Sequence, residues 1–315
     1  MFNPKKFINE SIQTIKKEIT GKTLIAFSGG VDSTVAAALV NKAIGENLIA
    51  VHVDTGYMRK NESEEVVQLM EDLNLNYRFV NAKKEFTTSL QGVIDPEEKR
   101  KIIGNKFIHI FEETAEKEDI TCLVQGTIAP DWIESGDELR AVIKSHHNVG
   151  GLPEIMKLCL VEPLRDLYKD EVRKVGRELG LSVAERQPFP GPGLAIRILG
   201  EATPERTDLV REACYIVESE IENAVQNGDM ELPWQYFAVL IPVKTVGVQG
   251  DQRAYGYTIA IRAVQSIDAM TCQFSTIPHH VLDSIATKIS NEMGNSINRI
   301  VYDITNKPPG TVEWE

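Results

Sequence analysis

No stretch of this sequence approaches the roughly 20 consecutive apolar residues that a membrane-spanning helix needs, which excludes a helical integral membrane protein. Cysteine is scarce. Cys122, Cys159, Cys214 and Cys272 include no Cys-x-x-Cys pair, so neither a zinc or iron–sulfur spacing nor a disulfide framework can be read. They are expected to be reduced thiols serving as small buried hydrophobes. Basic residues are outnumbered, 34 Lys and Arg against 46 Asp and Glu, for a formal charge of −12. That balance speaks against broad nucleic-acid or anionic-membrane binding, and leaves room for a local basic pocket and a small anionic substrate. The N-terminus lacks the arginines of a transit peptide and the apolar block of a signal peptide, so a cytoplasmic location is expected. Ile8, Ile12, Ile15 and Ile19 at helical spacing predict an amphipathic surface helix there instead. No internal repeat or low-complexity tract is visible. A Walker-type P-loop is missing as well: Gly21-Lys22-Thr23 has Lys16 where the first glycine should stand, and it precedes a strand where it should follow one.

What is present is an ordinary globular composition, 42% hydrophobic and 25% charged over 315 residues, long enough for two domains with cores of their own. The chain is organised around residues 23–34. Thr23 to Phe27 is a short apolar run suited to a buried parallel strand, and Val31 to Val40 has the content of a helix. Between them lies Ser28-Gly29-Gly30-Val31-Asp32-Ser33. A strand that turns on two glycines into a helix aims free backbone N–H groups at one spot, where the helix dipole also favours negative charge. This spot is read as a phosphate site. Ser28 and Ser33 can add hydroxyl donors, and a carboxylate at Asp32 makes electrostatic sense beside phosphate when Mg²⁺ lies between them.

Further strands are predicted at 47–53, 77–80, 121–124 and 157–161, and helices at 62–73, 96–118 and 168–179. The alternation predicts an α/β fold with a doubly wound, mostly parallel sheet. The turns after the strands, Val53 to Gly56 and Gln125-Gly126-Thr127, fall where such sheets place ligand contacts. Residues 128–153 break the rhythm, and their density of chemical groups predicts a functional lid. The proline- and glycine-rich run Pro188 to Gly193 reads as a stiff connector and domain boundary, dividing 1–187 from 188–315. Beyond it, an extended segment at 194–199, helices at 203–227 and 278–292, and strands at 234–243, 254–264 and 299–304 predict a smaller α+β domain.

Within the lid, His146 and His147 could be a metal pair, but adjacent side chains project apart and no third ligand has suitable spacing. Beside Lys144 they read better as donors to phosphate or to developing negative charge. Asp131 and Glu134 would share a face of a helical turn, either as a solvated acidic patch or as Mg²⁺ or ion-pair contacts. His279 and His280, at a predicted helix start, are assigned a structural or interface role. The closing Lys307-Pro-Pro-Gly-Thr-Val-Glu-Trp-Glu315 is stiffened by prolines and rich in chemistry, unlike a frayed tail, and is expected to bind a ligand or partner.

Residues 28–33 resemble the Ser-Gly-Gly-Xaa-Asp-Ser signature of the PP-loop ATP pyrophosphatases, which split ATP into AMP and pyrophosphate. The segments Lys144 to Pro153, Arg186 to Leu194, Val246 to Asp251 and Lys307 to Glu315 resemble, in order, the GMP synthetase family. The resemblance implies adenylylation of xanthosine monophosphate (XMP) at O2 by Mg-ATP, then displacement of AMP by ammonia. It implies a pyrophosphate and Mg²⁺ loop at Ser28, Gly29, Gly30, Val31, Asp32 and Ser33, with Val53 and Gly126 near the adenosine. The lid residues Asp131, Glu134, Lys144, Ser145, His146 and His147 would assist adenylylation. Gln249, Arg299, Lys307, Val312 and Glu313 would bind XMP, and Asp131 would pair with Arg299. The second domain would be a dimerisation domain. This chain starts about one helix before its loop, where many members carry a glutaminase, so it looks like the synthetase subunit of a two-chain enzyme whose partner is a separate glutaminase. Another PP-loop amidating ligase such as NAD synthetase, and a non-catalytic nucleotide sensor, are the alternatives. Gln187 and Gly310 depart from the family pattern without an assigned consequence.

Overall fold

The computed structural model describes residues 2–129, 158–181, 187–249, 251–266 and 269–315. They form two compact units, one made of Met1–Asp54, Ser63–Asn81 and Asn105–Arg186, the other of Thr55–Glu62, Ala82–Gly104 and Gln187–Glu315. Among the described residues no helix is long and apolar enough to cross a membrane.

In the first unit, Asn3 starts helix α1 (Pro4–Glu18) by accepting the Lys6 N–H at 3.0 Å, with Pro4 at the first helical position, where a missing N–H does no harm. Strand β1 (Lys22–Ala26) leads into α2 (Val31–Ile44), β2 (Leu48–Asp54), α3 (Glu62–Asp72) and β3 (Asn76–Asn81). Helix α4 (Lys83–Ser89), which the sequence did not signal, and the first part of the long α5 (Pro96–Glu118) belong to the second unit, and the rest of α5 brings the chain to β4 (Ile120–Val124). Strand β5 (Cys159–Val161) and helix α6 (Lys169–Glu178) complete the unit.

The five strands pair in the order β3-β2-β1-β4-β5, all parallel. Leu24 and Ile25 of β1 and the whole of β2 are buried, which is why these strands read as continuous apolar runs. Helices α1, α2 and α6 pack on one another, and Ile8, Ile15, Val35, Leu39, Val172 and Val175 join the sheet residues in one core. Each such fully buried aliphatic side chain contributes about 1.5–3 kcal/mol. The chain builds outward from β1 to β3, then returns to the other side of β1 with β4. That reversal is a topological switch point, where the strand ends of an open α/β sheet leave a crevice. Cys122 is buried, whereas Cys159, on the edge strand β5, is exposed and corrects the expectation of four buried thiols.

The second unit is built on a β-hairpin, β6 (Gln235–Gln249) with β7 (Gln252–Gln265), whose strands are antiparallel and longer than the sequence suggested. The other edge of β7 is taken by the short antiparallel β8 (Gln273–Phe274) and by β9 (Ile297–Asp303), which runs parallel to it. Helix α7 (Pro204–Gln226) packs on β6, and α8 (His279–Met293) packs on α7 and β9. Thr203 caps α7, its hydroxyl accepting the Arg206 N–H at 3.3 Å ahead of Pro204. Segment 194–199 is not extended throughout. Gly193–Arg197 is a 3₁₀ turn and only Ile198 bridges to Leu240, because the prolines before it end in a turn closed by the Gly193 N–H on the Pro190 carbonyl at 2.9 Å.

Candidate active site

The loop after β1 is positioned from both sides. The Phe27 N–H donates to the Val51 carbonyl at 2.8 Å, extending the β1–β2 pairing by one residue. His52 Nδ1 lies 3.0 Å from the Phe27 carbonyl. A carbonyl can only accept, so this nitrogen carries the proton, and Nε2 accepts from the Ser63 hydroxyl at 3.3 Å. His52 is buried with its ring stacked against Phe79. Sequence reasoning passes over it because a histidine inside an apolar strand looks like filler.

At Gly29 the backbone takes φ of +74°, and an added Cβ would lie 2.6 Å from Val66 Cγ2 on α3. Only glycine meets both demands. Gly30 follows as the N-cap of α2 and brings no side chain to cap it. The first intrahelical bond runs from the Thr34 N–H to the Gly30 carbonyl at 3.0 Å, so the N–H groups of Val31, Asp32 and Ser33 have no intrahelical acceptor. Ser28 Oγ accepts the Gly30 N–H at 3.3 Å and stands 3.0 Å from Ser33 Oγ. Backbone donors, two hydroxyls and the positive helix end thus share one mouth, which is the arrangement that binds phosphate. The loop after β4 lies against this helix start, where a Cβ on Gly126 would sit 3.2 Å from the Asp32 carbonyl carbon and 3.3 Å from the Ser33 nitrogen.

Asp32 is the charged member. Its Oδ2 accepts from Lys169 Nζ at 2.5 Å, an ion pair spanning 137 positions of sequence. Its Oδ1 is buried and has no hydrogen-bond partner among the described residues. Leaving a buried carboxylate oxygen unsatisfied costs about 1–3 kcal/mol or more, which makes this oxygen a candidate contact for a bound group. Lys169 escapes sequence reasoning. Its signal is faint: a lysine as the first residue of a helix, against the dipole. Among the described residues no group of three or more His, Cys, Asp or Glu could hold a metal by itself. Mg²⁺ rarely requires one, since it is commonly held by one or two carboxylates together with substrate phosphates, and the unpartnered Oδ1 fits that use.

Val53 is buried in β2. Asp131, Glu134, Lys144, Ser145, His146 and His147 lie outside the described residues, as does the Asp131 side of the expected pair with Arg299.

In the second unit, Glu313 is held by a two-point ion pair, Arg197 Nη2 to Oε1 at 2.9 Å and Nε to Oε2 at 3.1 Å, and Gln235 Nε2 also donates to Oε1 at 2.9 Å. Arg197 is completely buried between the rings of Phe237 (4.0 Å) and Phe189 (5.2 Å). On Phe189 also rests Arg59, at 4.2 Å, which donates to the carbonyls of Gln187 and Pro188 and pairs with Glu62. Between these cations Glu218 accepts from Gln187 at 3.0 Å. Burial pushes its carboxyl up to about 7 against the opposing pull of Arg59 and Arg197, with Glu222 and Glu62 adding to the rise. Lys307 Nζ donates to the Ala269 carbonyl at 2.7 Å, and Val312 is half-buried. Arg299 is exposed on β9 opposite Thr258, and Gln249 ends β6 opposite Gln252. The second unit therefore brings Val312 and Glu313 onto a buried polar framework, while Arg299 and Gln249 lie on strands.

A glycine-turned anion loop at the switch point of a parallel sheet, with a carboxylate at its helix start, defines a nucleotide-using enzyme of the PP-loop ATP pyrophosphatase class. Residues 3–107 match the NAD synthase family model and residues 221–314 the model of the GMP synthase C terminal domain. Over 319 aligned residues the chain is 56% identical to the B subunit of the glutamine-hydrolyzing GMP synthase of Methanopyrus kandleri, covering 100% of both. It is 55% identical to the corresponding B subunit of Thermoplasma acidophilum over 98% of each chain. To the glutamine-hydrolyzing GMP synthase of Thermotoga petrophila it is 54% identical, over 98% of this chain and 62% of that longer protein. The chain belongs to the GMP synthase B-subunit family, a family of ATP-using ligases that form C–N bonds. NAD synthase is not favoured, since that match ends within α5 whereas the relatives align from end to end.

Proposed function

We propose that this chain carries out the ATP-dependent amination of XMP to GMP. The observation that carries the reading is the uncapped start of α2 with Asp32 beside it, set in a chain related end to end to GMP synthase B subunits. The C2 oxygen of XMP is a poor leaving group, so the base is first adenylylated. Its oxygen attacks the α-phosphorus of ATP and pyrophosphate departs, after which ammonia displaces AMP. The free N–H groups of Val31, Asp32 and Ser33, with the hydroxyls of Ser28 and Ser33, hold the β- and γ-phosphates and take up the charge of the departing pyrophosphate. Lys169 supplies a positive charge at the same mouth, and Gly126 lets the β4 loop pack closely against the start of α2. When bound, Mg²⁺ would neutralise phosphate charge, with Asp32 Oδ1 as its protein ligand.

Lys144, His146 and His147 are assigned to charge stabilisation during adenylylation, and Asp131 and Glu134 to contacts of that same segment. Lys307, Val312 and Glu313, with Gln249 and Arg299, are assigned to XMP. In this reading residues 1–187 handle ATP and residues 188–315 hold XMP and form a homodimer. A separate glutaminase supplies ammonia, and the reaction takes place in the cytoplasm. The test is pyrophosphate release from ATP with ammonium supplied, in the presence and absence of XMP. Stimulation by XMP, and no turnover of glutamine unless a separate glutaminase is added, is the expected result. Release that ignores XMP would overturn the reading.

A further inference from the structure

Within the second unit, residues 304–315 contain no fully buried side chain, yet every part of the segment is tied down. Some ties are main-chain bonds, as between Lys307 and Cys272, and three are buried cations. Arg197, Arg262 and Lys99 all have fully buried side chains, and each ends on this segment or on the strand that leads into it. Arg262, on β7, donates to the carbonyl of Thr305, to that of Thr311 at 2.9 Å and to that of Val312 at 3.5 Å, and it pairs with Asp303 at 3.3 Å. It thereby fixes the chain on both sides of Lys307. Lys99, on α5, donates to the carbonyls of Ala195 at 3.1 Å and Ile198 at 2.8 Å and to the carboxylate of Glu315. An ammonium has three donors, and all of them are used inside the protein. The other Glu315 side-chain oxygen accepts the Gly200 N–H at 2.8 Å, and its main-chain oxygen accepts from Arg100 at 2.5 Å.

We propose that Lys99 and Arg262 are positioning residues for the purine-nucleotide substrate, acting on it through the terminal segment that carries Lys307, Val312 and Glu313. The inference rests on the reading that this segment holds XMP. Burying an ammonium or guanidinium is costly until its partners compensate, and apolar side chains would secure the segment at less expense. What directional bonds to main-chain carbonyls add is a single backbone path. Val312 and Glu313 lie between the bonds made by Arg262 and the Glu315 latch, so their placement depends on both. Lys99 has no donor left that would make it a ligand contact in its own right, and Arg262, with its side chain fully buried, aims its donors at the carbonyls of the segment.

The test uses the full chain with ammonium as nitrogen source. XMP binding is measured by calorimetry, and KM is determined separately for XMP and for ATP, in the wild type, Glu315→Gln, Lys99→Met and the double variant. Glu315→Gln is expected to weaken XMP binding and raise its KM about tenfold, the effect of losing roughly 1.4 kcal/mol, while the KM for ATP stays near wild type and kcat falls little. The double variant should lose less than the product of the two single losses, because both remove the same bond. Should Glu315→Gln fail to fold, Arg262→Lys, which keeps the charge and forfeits the three-carbonyl reach, is expected to show the same split. Unchanged XMP affinity in a folded variant, or an equal rise in both KM values, would overturn the proposal. If the wild type itself neither binds nor responds to XMP, it is the functional reading that fails.

Discussion

The Ser28–Ser33 loop and the C-terminal segment are built on opposite principles. The loop is mostly backbone: two glycines, a bare helix start, two hydroxyls and one carboxylate whose second oxygen has no partner among the described residues. The C-terminal segment is held by side chains reaching in from β7, α5 and the turn after the connector, with charges taken fully out of water. A site that receives a highly charged, shifting group benefits from donors that are preorganised yet unspent. A site that must recognise one shape benefits from spent donors, because each bond already made removes an alternative path for the chain. In this contrast the unpartnered Asp32 oxygen belongs to the loop proposed to receive a charged ligand, whereas the saturated buried charges hold the C-terminal segment in place.

Three substitutions test this contrast. The largest effect is expected at Asp32. Asp32→Asn should lower XMP-dependent pyrophosphate release by about 10²- to 10³-fold while costing no more than about 1 kcal/mol of stability in thermal unfolding, because its Oδ1 makes no structural bond and the Oδ2 pair with Lys169 is partly exposed. A large loss of stability would place Asp32 with the scaffold. Next comes Glu218, in the framework behind Glu313. Its folded-state carboxyl titrates at about 7, above the ordinary 4.5, so the folded state holds the proton more tightly. Its stabilising contribution is therefore full below about 4.5 and is lost as pH rises through about 7, by up to about 1.4 kcal/mol per pH unit in that window. Glu218→Gln should flatten this decline in urea unfolding followed across the same range, and an unchanged pH profile would refute the assignment. The smallest effect is expected at Gly29. Gly29→Ala should cost about 1–3 kcal/mol through its positive φ and its clash with Val66. Adding Val66→Ala should restore the steric part alone, measured by thermal unfolding and by the KM for ATP.

Legibility in the sequence followed this division. The loop was readable because a strand, a double glycine and a helix are neighbours in the chain, and the parallel sheet followed from strand–helix alternation. Gly126 was expected near the nucleotide from its place after a strand, and the structure sets it against the start of α2. Lys169 was not, since nothing at position 169 refers to Asp32, and only the packing of α6 beside α2 brings them together. His52 was hidden because its partners, the Phe27 carbonyl and Ser63, are set by the β1–β2 register and by where α3 begins. The extended segment expected at 194–199 became a 3₁₀ turn because Gly193 closes on Pro190, a local bond that composition does not reveal.

Fold class, the strand–glycine–helix loop and the chemical richness of the last residues follow from the order of residues alone, because these depend on side-chain volume, glycine's backbone freedom and spacing along the chain. The tertiary structure alone decided which charges meet. Lys99 and Glu315 stand 216 positions apart and Arg197 and Glu313 116 apart, and each pair exists only because folding removes both partners from water at the same place.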